Sequence, residues 1–249
     1  MTLALLTLAP ANCSAAGGGG AQGKSSSAKA PSGVERIATN GSCKVVGNLE
    51  GKFGTSAQMD DYLACLTPGI EQWIGSVYSD MRSPKGFFFV AVGVTGKDGN
   101  CKFDDATLAY CGSSENVYLG ERAVWDQYTK HGDAASALIM AHEVTHHFQN
   151  VLHFRPARVA AEQIRYENQA DCGGGAFIKY ANQQGWIDPK DDLIDVGGSL
   201  AAAGAGPGPQ RDHGSAPERL LAFFRGSVNT QQNPLSACNR YVPEIALVS

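Results

Sequence analysis

The stretch AHEVTHHFQN, residues 141–150, places three histidines and one glutamate within six positions. His142 and His146 are four residues apart. On a helix such a pair stacks on one face, so two imidazole nitrogens reach one metal ion. Glu143 is one position on, where a carboxylate can touch a metal-bound water without binding the metal. These are the residue types of zinc-assisted hydrolysis, in which water fills a fourth position beside three protein ligands. The pattern HExxHxxGxxH does not supply the third ligand. Gln149 stands at its glycine, Leu152 at its last histidine, and His153 falls one residue late. YENQADCGGG, residues 166–175, does supply one. Glu167 lies 21 residues after His146, and Asp171 shares a helical face with it. The expectation is that Glu167 binds zinc and that Asp171 accepts an N–H from a ligating histidine, fixing its tautomer. Alone, Glu167 and Asp171 would read as an ordinary polar stripe. His147 points about 100° off the ligand face and is expected to hydrogen-bond elsewhere or to meet solvent.

Two long helices must position these groups. The first is expected from Ala134 to about Leu152, with Asp133 placed to cap it. It is apolar around most of its first half and so should be buried. The second is expected from about Ala157 to Asn182, after Pro156. Gly173, Gly174 and Gly175 lie inside it, each costing about 1 kcal/mol against alanine. Such a triplet suggests close approach of another backbone; the alternative is a simple kink in the helix. Upstream, SAQMDDYLACL (56–66) has helical spacing, and Pro68 suits the first turn of a further helix. GFFFVAVGV (86–94) and NVYLG (116–120) read as strands, KDGN (97–100) as a turn and ERAVWDQYTKH (121–131) as a helix. NVYLG is either an exposed sheet edge, able to pair with an extended substrate, or an interior strand. AAAGAGPGPQRD (201–212) reads as a loop. Ser215 and Glu218 then fit a capping box, with Gly226 ending that helix.

The chain has 249 residues, 43% of them hydrophobic, which suits one domain plus a tail. The net charge of −4, without a basic cluster, argues against nucleic-acid partners. Residues 1–33 read as an export signal followed by a Gly/Ser/Ala-rich tether, and residues 34–249 as the folded domain. The apolar run LALLTLA is too short to span a bilayer, and the usual positive start is missing. Cys13 offers lipid modification, and with it membrane attachment through the N-terminus. The other six cysteines suggest up to three disulfides in an exported domain, with Cys101 and Cys111 the best pair.

HEVTHHFQN, ENQADC, HGSAPERLLAFF and Cys238, in that order, resemble the bacterial putative neutral zinc metallopeptidase family. CKFDDATLAYC and NVYLG upstream add to the likeness, which covers roughly residues 60–240. The resemblance implies a gluzincin-like site with His142, His146 and Glu167 on one zinc ion per chain and Glu143 at the catalytic position. It departs from the family at Thr145, where a glycine is expected, and at AGAGPGPQ (203–210), where an acidic stretch is expected. The fold expected is α+β, a predominantly helical zincin-like metallopeptidase domain with a small β-sheet.

The leading reading is an exported zinc-dependent peptidase acting on a peptide or protein substrate. A zinc-activated water attacks the peptide carbonyl, Glu143 is the general base, and His213 is the candidate oxyanion donor, with Tyr166 a weaker one. The alternative is a catalytically silent cell-envelope binding protein that retains the zinc-peptidase scaffold, with a structural zinc closed by a fourth ligand such as His213. A third reading is zinc hydrolysis of another amide, such as a wall peptide.

Overall fold

The structure, a computed structural model, describes residues 33–38, 49–188, 190–204, 206 and 211–248. The expected export signal, Cys13, Cys43 and residues 205 and 207–210 of the loop before His213 lie outside the described residues. The strands are β1 (Val34–Arg36), β2 (Gly86–Val90), β3 (Thr95–Asp98), β4 (Cys101–Asp104), β5 (Leu108–Cys111) and β6 (Asn116–Gly120). The helices are α1 (Met59–Val77), α2 (Glu121–His131), α3 (Asp133–Val151), α4 (Ala160–Gln183), α5 (Asp192–Ala202) and α6 (Ala216–Ser227), with a 3-10 segment at Pro234–Tyr241. The architecture is α+β with helices dominant, as expected.

Four strands form one sheet in the order β1-β2-β6-β5, and β3 and β4 form a separate hairpin. β2 and β6 run parallel, with Phe88 opposite Tyr118. Both are largely buried, which suits their β-branched and aromatic composition. NVYLG is therefore an interior strand. The sheet edge nearest the long helices is β5, which pairs antiparallel with β6. β5 lies between the expected turn and NVYLG, and its four residues are too few for a period to show.

Several boundaries differ from expectation. Residues 56–66 and the segment after Pro68 form one continuous helix, with Pro68 inside α1. The Thr67 hydroxyl donates to the Leu63 carbonyl at 2.8 Å next to the break that proline makes in the ladder. Asp133 does not cap α3. Gly132 holds that position, and Asp133 is the first helical residue, its Oδ2 accepting the Leu49 N–H at 2.9 Å. α4 begins at Ala160 rather than Ala157, because Val159 is still extended. α5 was not expected at all. Within KDGN, Lys97 and Asp98 belong to β3 and only Gly99 and Asn100 turn.

The core lies where α1, α3, α4 and α6 meet. Trp73 of α1 has its ring 5.5 Å from Phe148 of α3 and 5.5 Å from Phe177 of α4. The glycine triplet does what its cost suggested. A Cβ on Gly173 would stand 2.0 Å from Thr145 Oγ1, one on Gly174 2.6 Å from Leu138 Cδ1, and one on Gly175 2.1 Å from the Phe223 carbonyl oxygen. α4 thus packs at backbone contact on α3 and on α6. Gly226 belongs to the same contact: its Cβ would meet the Cys172 carbonyl at 1.9 Å. It does not end α6, which runs on to Ser227.

Disulfides reinforce both ends of the arrangement. Cys101–Cys111 closes the loop that leads into β5, and Cys172–Cys238 fastens the 3-10 segment onto α4. The second links residues 66 apart, worth about 4 kcal/mol in the chain-entropy account. Cys65 is also disulfide-bonded.

Gly173→Ala should overpack the α3–α4 contact and cost about 2–3 kcal/mol. Melting followed by circular dichroism should show a Tm lower by roughly 5–10 °C for a chain of this size. Adding Thr145→Gly should restore much of the loss. No recovery in the double variant would mean that Thr145 is not what Gly173 accommodates.

Candidate metal centre and active site

α3 and α4 bring His142, His146 and Glu167 together. One ligand atom of each lies within 4.8 Å of the others. His142 and Glu167 are buried, and His146 is partly so. His142 Nε2 is 3.1 Å from His146 Nε2 and 3.2 Å from Glu167 Oε2, while Glu167 Oε1 is 3.6 Å from His146 Nε2. Gln163 donates to Glu167 Oε1 at 2.7 Å and steadies it.

The outer hydrogen bonds decide which ring nitrogens carry protons. Asp171 can only accept, and its Oδ1 is 2.9 Å from His142 Nδ1, so His142 donates there. His146 Nδ1 donates to Gln149 Oε1 at 2.8 Å, since the amide nitrogen of Gln149 is already donating to the Tyr166 carbonyl and to Gln169. When both rings are neutral, their Nε2 atoms present lone pairs toward each other and toward the Glu167 carboxylate. Three electron-rich groups at this spacing repel unless a cation lies among them. Two imidazoles on a tetrahedral zinc, with bonds of about 2.0–2.1 Å, put their nitrogens about 3.3 Å apart, close to the spacing observed. The donor set fits zinc.

Without a metal, a proton takes the place of that cation. Burial would lower the pKa of His142, but Asp171 and Glu167 overcome it and hold the ring at about 10. Burial opposes ionisation of Glu167, and the two histidines still hold it well below the usual carboxylate range. Asp171 resists its own burial because of Arg219, whose Nε and Nη2 each lie 2.8 Å from the carboxylate, and it too is lowered. Arg219 is itself buried, and a third donor, Nη1, reaches the Ala203 carbonyl at the end of α5. In the sequence this arginine is one residue of HGSAPERLLAFF, and nothing local marks its role.

HEVTHHFQN divides into two stripes. His142, His146 and Gln149 face α4. Glu143, His147 and Asn150 face β5. Glu143 Oε2 accepts the Tyr110 N–H at 2.7 Å. His147 is fully buried and does not meet solvent. Its Nε2 donates to the Arg82 carbonyl at 2.8 Å, so its Nδ1 accepts from the Tyr110 hydroxyl at 3.0 Å. Asn150 donates to that hydroxyl at 2.9 Å and to the Gly112 carbonyl at 3.1 Å. Burial, the largest influence, raises the Glu143 pKa against the pull of the two histidines.

His213 stands beside the convergent set rather than in it. Its Nε2 is 3.5 Å from Glu167 Oε2 and its Nδ1 2.9 Å from Asp212 Oδ1. Tyr166 is turned toward Phe154, with ring centres 5.7 Å apart. Thr145 adds no bulk at the metal side. Its hydroxyl donates to the Ala141 carbonyl at 2.9 Å and abuts Gly173.

Comparison with known proteins finds a family to which part of the chain is similar. Residues 95–207 match the family described as putative neutral zinc metallopeptidase. The resemblance drawn from the motifs is thereby shown, and zinc is the metal the family name implies. The matched span includes β5, α3 and α4 and stops short of His213 and Arg219. The uncharacterized protein YpfJ of Escherichia coli strain K12 is 29% identical over 141 residues, 47% of this chain and 49% of that protein. YpfJ of Escherichia coli O6:H1 strain CFT073 matches to the same extent. The chain thus spans about half the length of the curated relatives it matches. No solved structure matches.

Zinc must displace the proton that the carboxylates hold on His142 in the metal-free protein. Calorimetry at pH 7.5 in buffers of different ionisation enthalpy should therefore show at least one proton released per zinc bound. Binding without proton release would contradict the protonation argued for His142. Asp171→Asn should weaken zinc affinity about 10–100-fold without abolishing it. Unchanged affinity would remove Asp171 from the support of the site.

Proposed function

We propose that the chain is an exported zinc-dependent peptidase. The observation that carries this reading is the meeting of three lone-pair donors, His142, His146 and Glu167, with a buried carboxylate one residue along the same helix. His142, His146 and Glu167 would hold the zinc. A zinc ion there supplies Lewis acidity toward water and the carbonyl oxygen of the substrate.

The remaining steps belong to the chain's own residues. Glu143 is the general base. Burial raises its pKa toward the range in which a carboxylate can both take and return a proton. Its Oε2 is held by the Tyr110 N–H, so proton transfer falls to Oε1: first from the attacking water, then to the leaving amine. β5 aligns the substrate. Gly120 donates to the Thr107 carbonyl, and Ala109 is paired with Tyr118, so the alternation turns the backbone groups of Leu108 and Tyr110 away from β6. An extended peptide can add to that edge through Leu108 and the Tyr110 carbonyl, the Tyr110 N–H being held by Glu143. His213 donates from Nδ1 to Asp212 and directs Nε2 toward the site; with both ring nitrogens protonated it is the donor proposed for the developing oxyanion.

Export rests on the disulfides, which persist in oxidising compartments. Among the described residues, no helix is long and apolar enough to cross a membrane. Attachment through Cys13 stays a proposal of the same kind.

Glu143→Gln should retain zinc and lose peptide turnover by roughly 10²–10⁴-fold. Turnover at the parent rate in the zinc-loaded variant would overturn the base assignment. His213→Gln should lower kcat while leaving zinc content and KM nearly unchanged. Loss of zinc instead would make His213 a fourth ligand and favour the silent scaffold over the peptidase.

A further inference from the structure

A second cluster of carboxylates lies away from the zinc centre, at the N-terminal end of α3. Asp133, the first residue of that helix, meets Asp192 and Asp195 of the first turn of α5. One oxygen of each lies within 4.8 Å of the others. Asp133 is 0% exposed and Asp192 2% exposed. Their hydrogen bonds come only from backbone: Leu49 N–H to Asp133 Oδ2 at 2.9 Å, and Asp188 N–H to Asp192 Oδ2. Asp133 Oδ1 and Asp195 Oδ2 are shut off from solvent and have no hydrogen-bond partner. Asp195 is pressed against the start of α3 so closely that a Cβ on Gly132, at φ +76°, would stand 1.8 Å from Asp195 Oδ2.

Among the described residues, only backbone N–H groups oppose this charge. Among the described residues, none of the three carboxylates is in an ion pair, and the adjacent Lys130 is taken by Asp126 at 3.0 Å. Glu50, Asp188 and Asp191 add to the negative field. Burial, then the charge of Asp133, pushes Asp192 up to about 7, and burial with Glu50 pushes Asp195 to about 6. Unpaired oxygens in a buried, uncompensated triad are costly, and a bound cation removes the cost.

We propose that Asp133, Asp192 and Asp195 form a calcium site that clamps the start of α5 to the start of α3. The donors are all carboxylate oxygens, the ligands of hard cations, whereas the zinc centre offers imidazole nitrogens. Calcium bonds of 2.3–2.6 Å suit oxygens at this spacing, with water and backbone carbonyls completing a flexible shell. The site is independent of the peptidase reading, because none of its members touches the zinc ligands.

The test uses the full chain loaded with one zinc and titrated with calcium chloride, by calorimetry and by thermal unfolding. One calcium per chain is expected, with Tm raised by about 5–10 °C at one hundred times the Kd. Glu167→Ala, which disables the zinc centre, should still bind calcium. Asp192→Asn and Asp195→Asn should each lose the calcium response while keeping the parent's far-ultraviolet dichroism. If Asp192→Asn does not fold, Asp195→Asn, whose side chain is less buried, decides. The proposal is overturned by no Tm change at millimolar calcium, by binding that survives in Asp195→Asn, or by binding that disappears in Glu167→Ala.

Discussion

The carboxylate of Asp171 is the point on which the molecule turns. It is 0% exposed and belongs to α4. One oxygen takes the His142 N–H from α3, and both take the guanidinium of Arg219 from α6. Through Arg219 the same group reaches the carbonyl that closes α5. Four helices are thus referred to one buried anion. A buried ion pair is weak evidence of net stability, but removing one partner strands the other and costs about 3–5 kcal/mol. The local consequence matters more. Arg219 keeps Asp171 ionised in a place where burial favours the neutral acid. An ionised Asp171 keeps the His142 proton on Nδ1, and that leaves Nε2 free to bind metal. The guanidinium on α6 therefore sets the ligand state of a histidine it does not touch.

Backbone packing makes that chain of contacts possible. Asp171 reaches His142 because α4 lies against α3 with only hydrogen atoms of Gly173 between Thr145 and the α4 backbone. It reaches Arg219 because Gly175 and Gly226 let α4 and α6 close to backbone contact. The disulfide from Cys172 to Cys238 fixes the same turn of α4 from its other side. The departure at Thr145 is absorbed here. A hydroxyl and a methyl where the family has a glycine are matched by a missing Cβ on the opposite helix, so the bulk falls in the helix–helix seam and not over the ligands.

The proposed metal ligands were legible because their spacing is local. Four residues on a helix place two rings on one face whatever the rest of the fold does, and Glu167 with Asp171 repeats the rule on α4. The glycine triplet was legible for the opposite reason: three expensive residues inside a helix need something outside it to explain them. What could not be read depends on contacts distant in sequence. Pro68 looks like a helix start, and only the packing of Trp73 and its neighbours carries α1 through it. NVYLG and LAYC are both short and apolar. Which of them lies inside the sheet depends on the parallel partner supplied by GFFFV. α5 has Gly197 and Gly198 within it and ends in a Gly/Pro-rich run, so its own residues argue weakly for a helix. It exists because Val196 and Leu200 are covered by the core. Arg219 was visible as a letter in a pattern, but its partner is 48 residues away.

The second stripe of HEVTHHFQN explains why this helix is polar along most of its last two turns. A zinc centre accounts for His142, Glu143 and His146 and leaves His147, Gln149 and Asn150 as burdens on a buried helix. Each proves to hold something. Gln149 orients His146. His147 and Asn150 together fix the hydroxyl of Tyr110, whose own N–H holds Glu143. The edge strand is therefore pinned to the helix at both the backbone and the side chain of one residue. Its distance from the carboxylate is set by three hydrogen bonds, and shape complementarity is not needed to set it. A peptide that adds to β5 takes its register from the strand, and the strand takes its register from the helix that carries the base. The same turn of α3 thus fixes where the metal ligands point and where a substrate backbone would lie. Under the proposed function, that common origin would let a short, four-residue edge strand serve as a template despite having too little hydrophobic contact to hold itself in place.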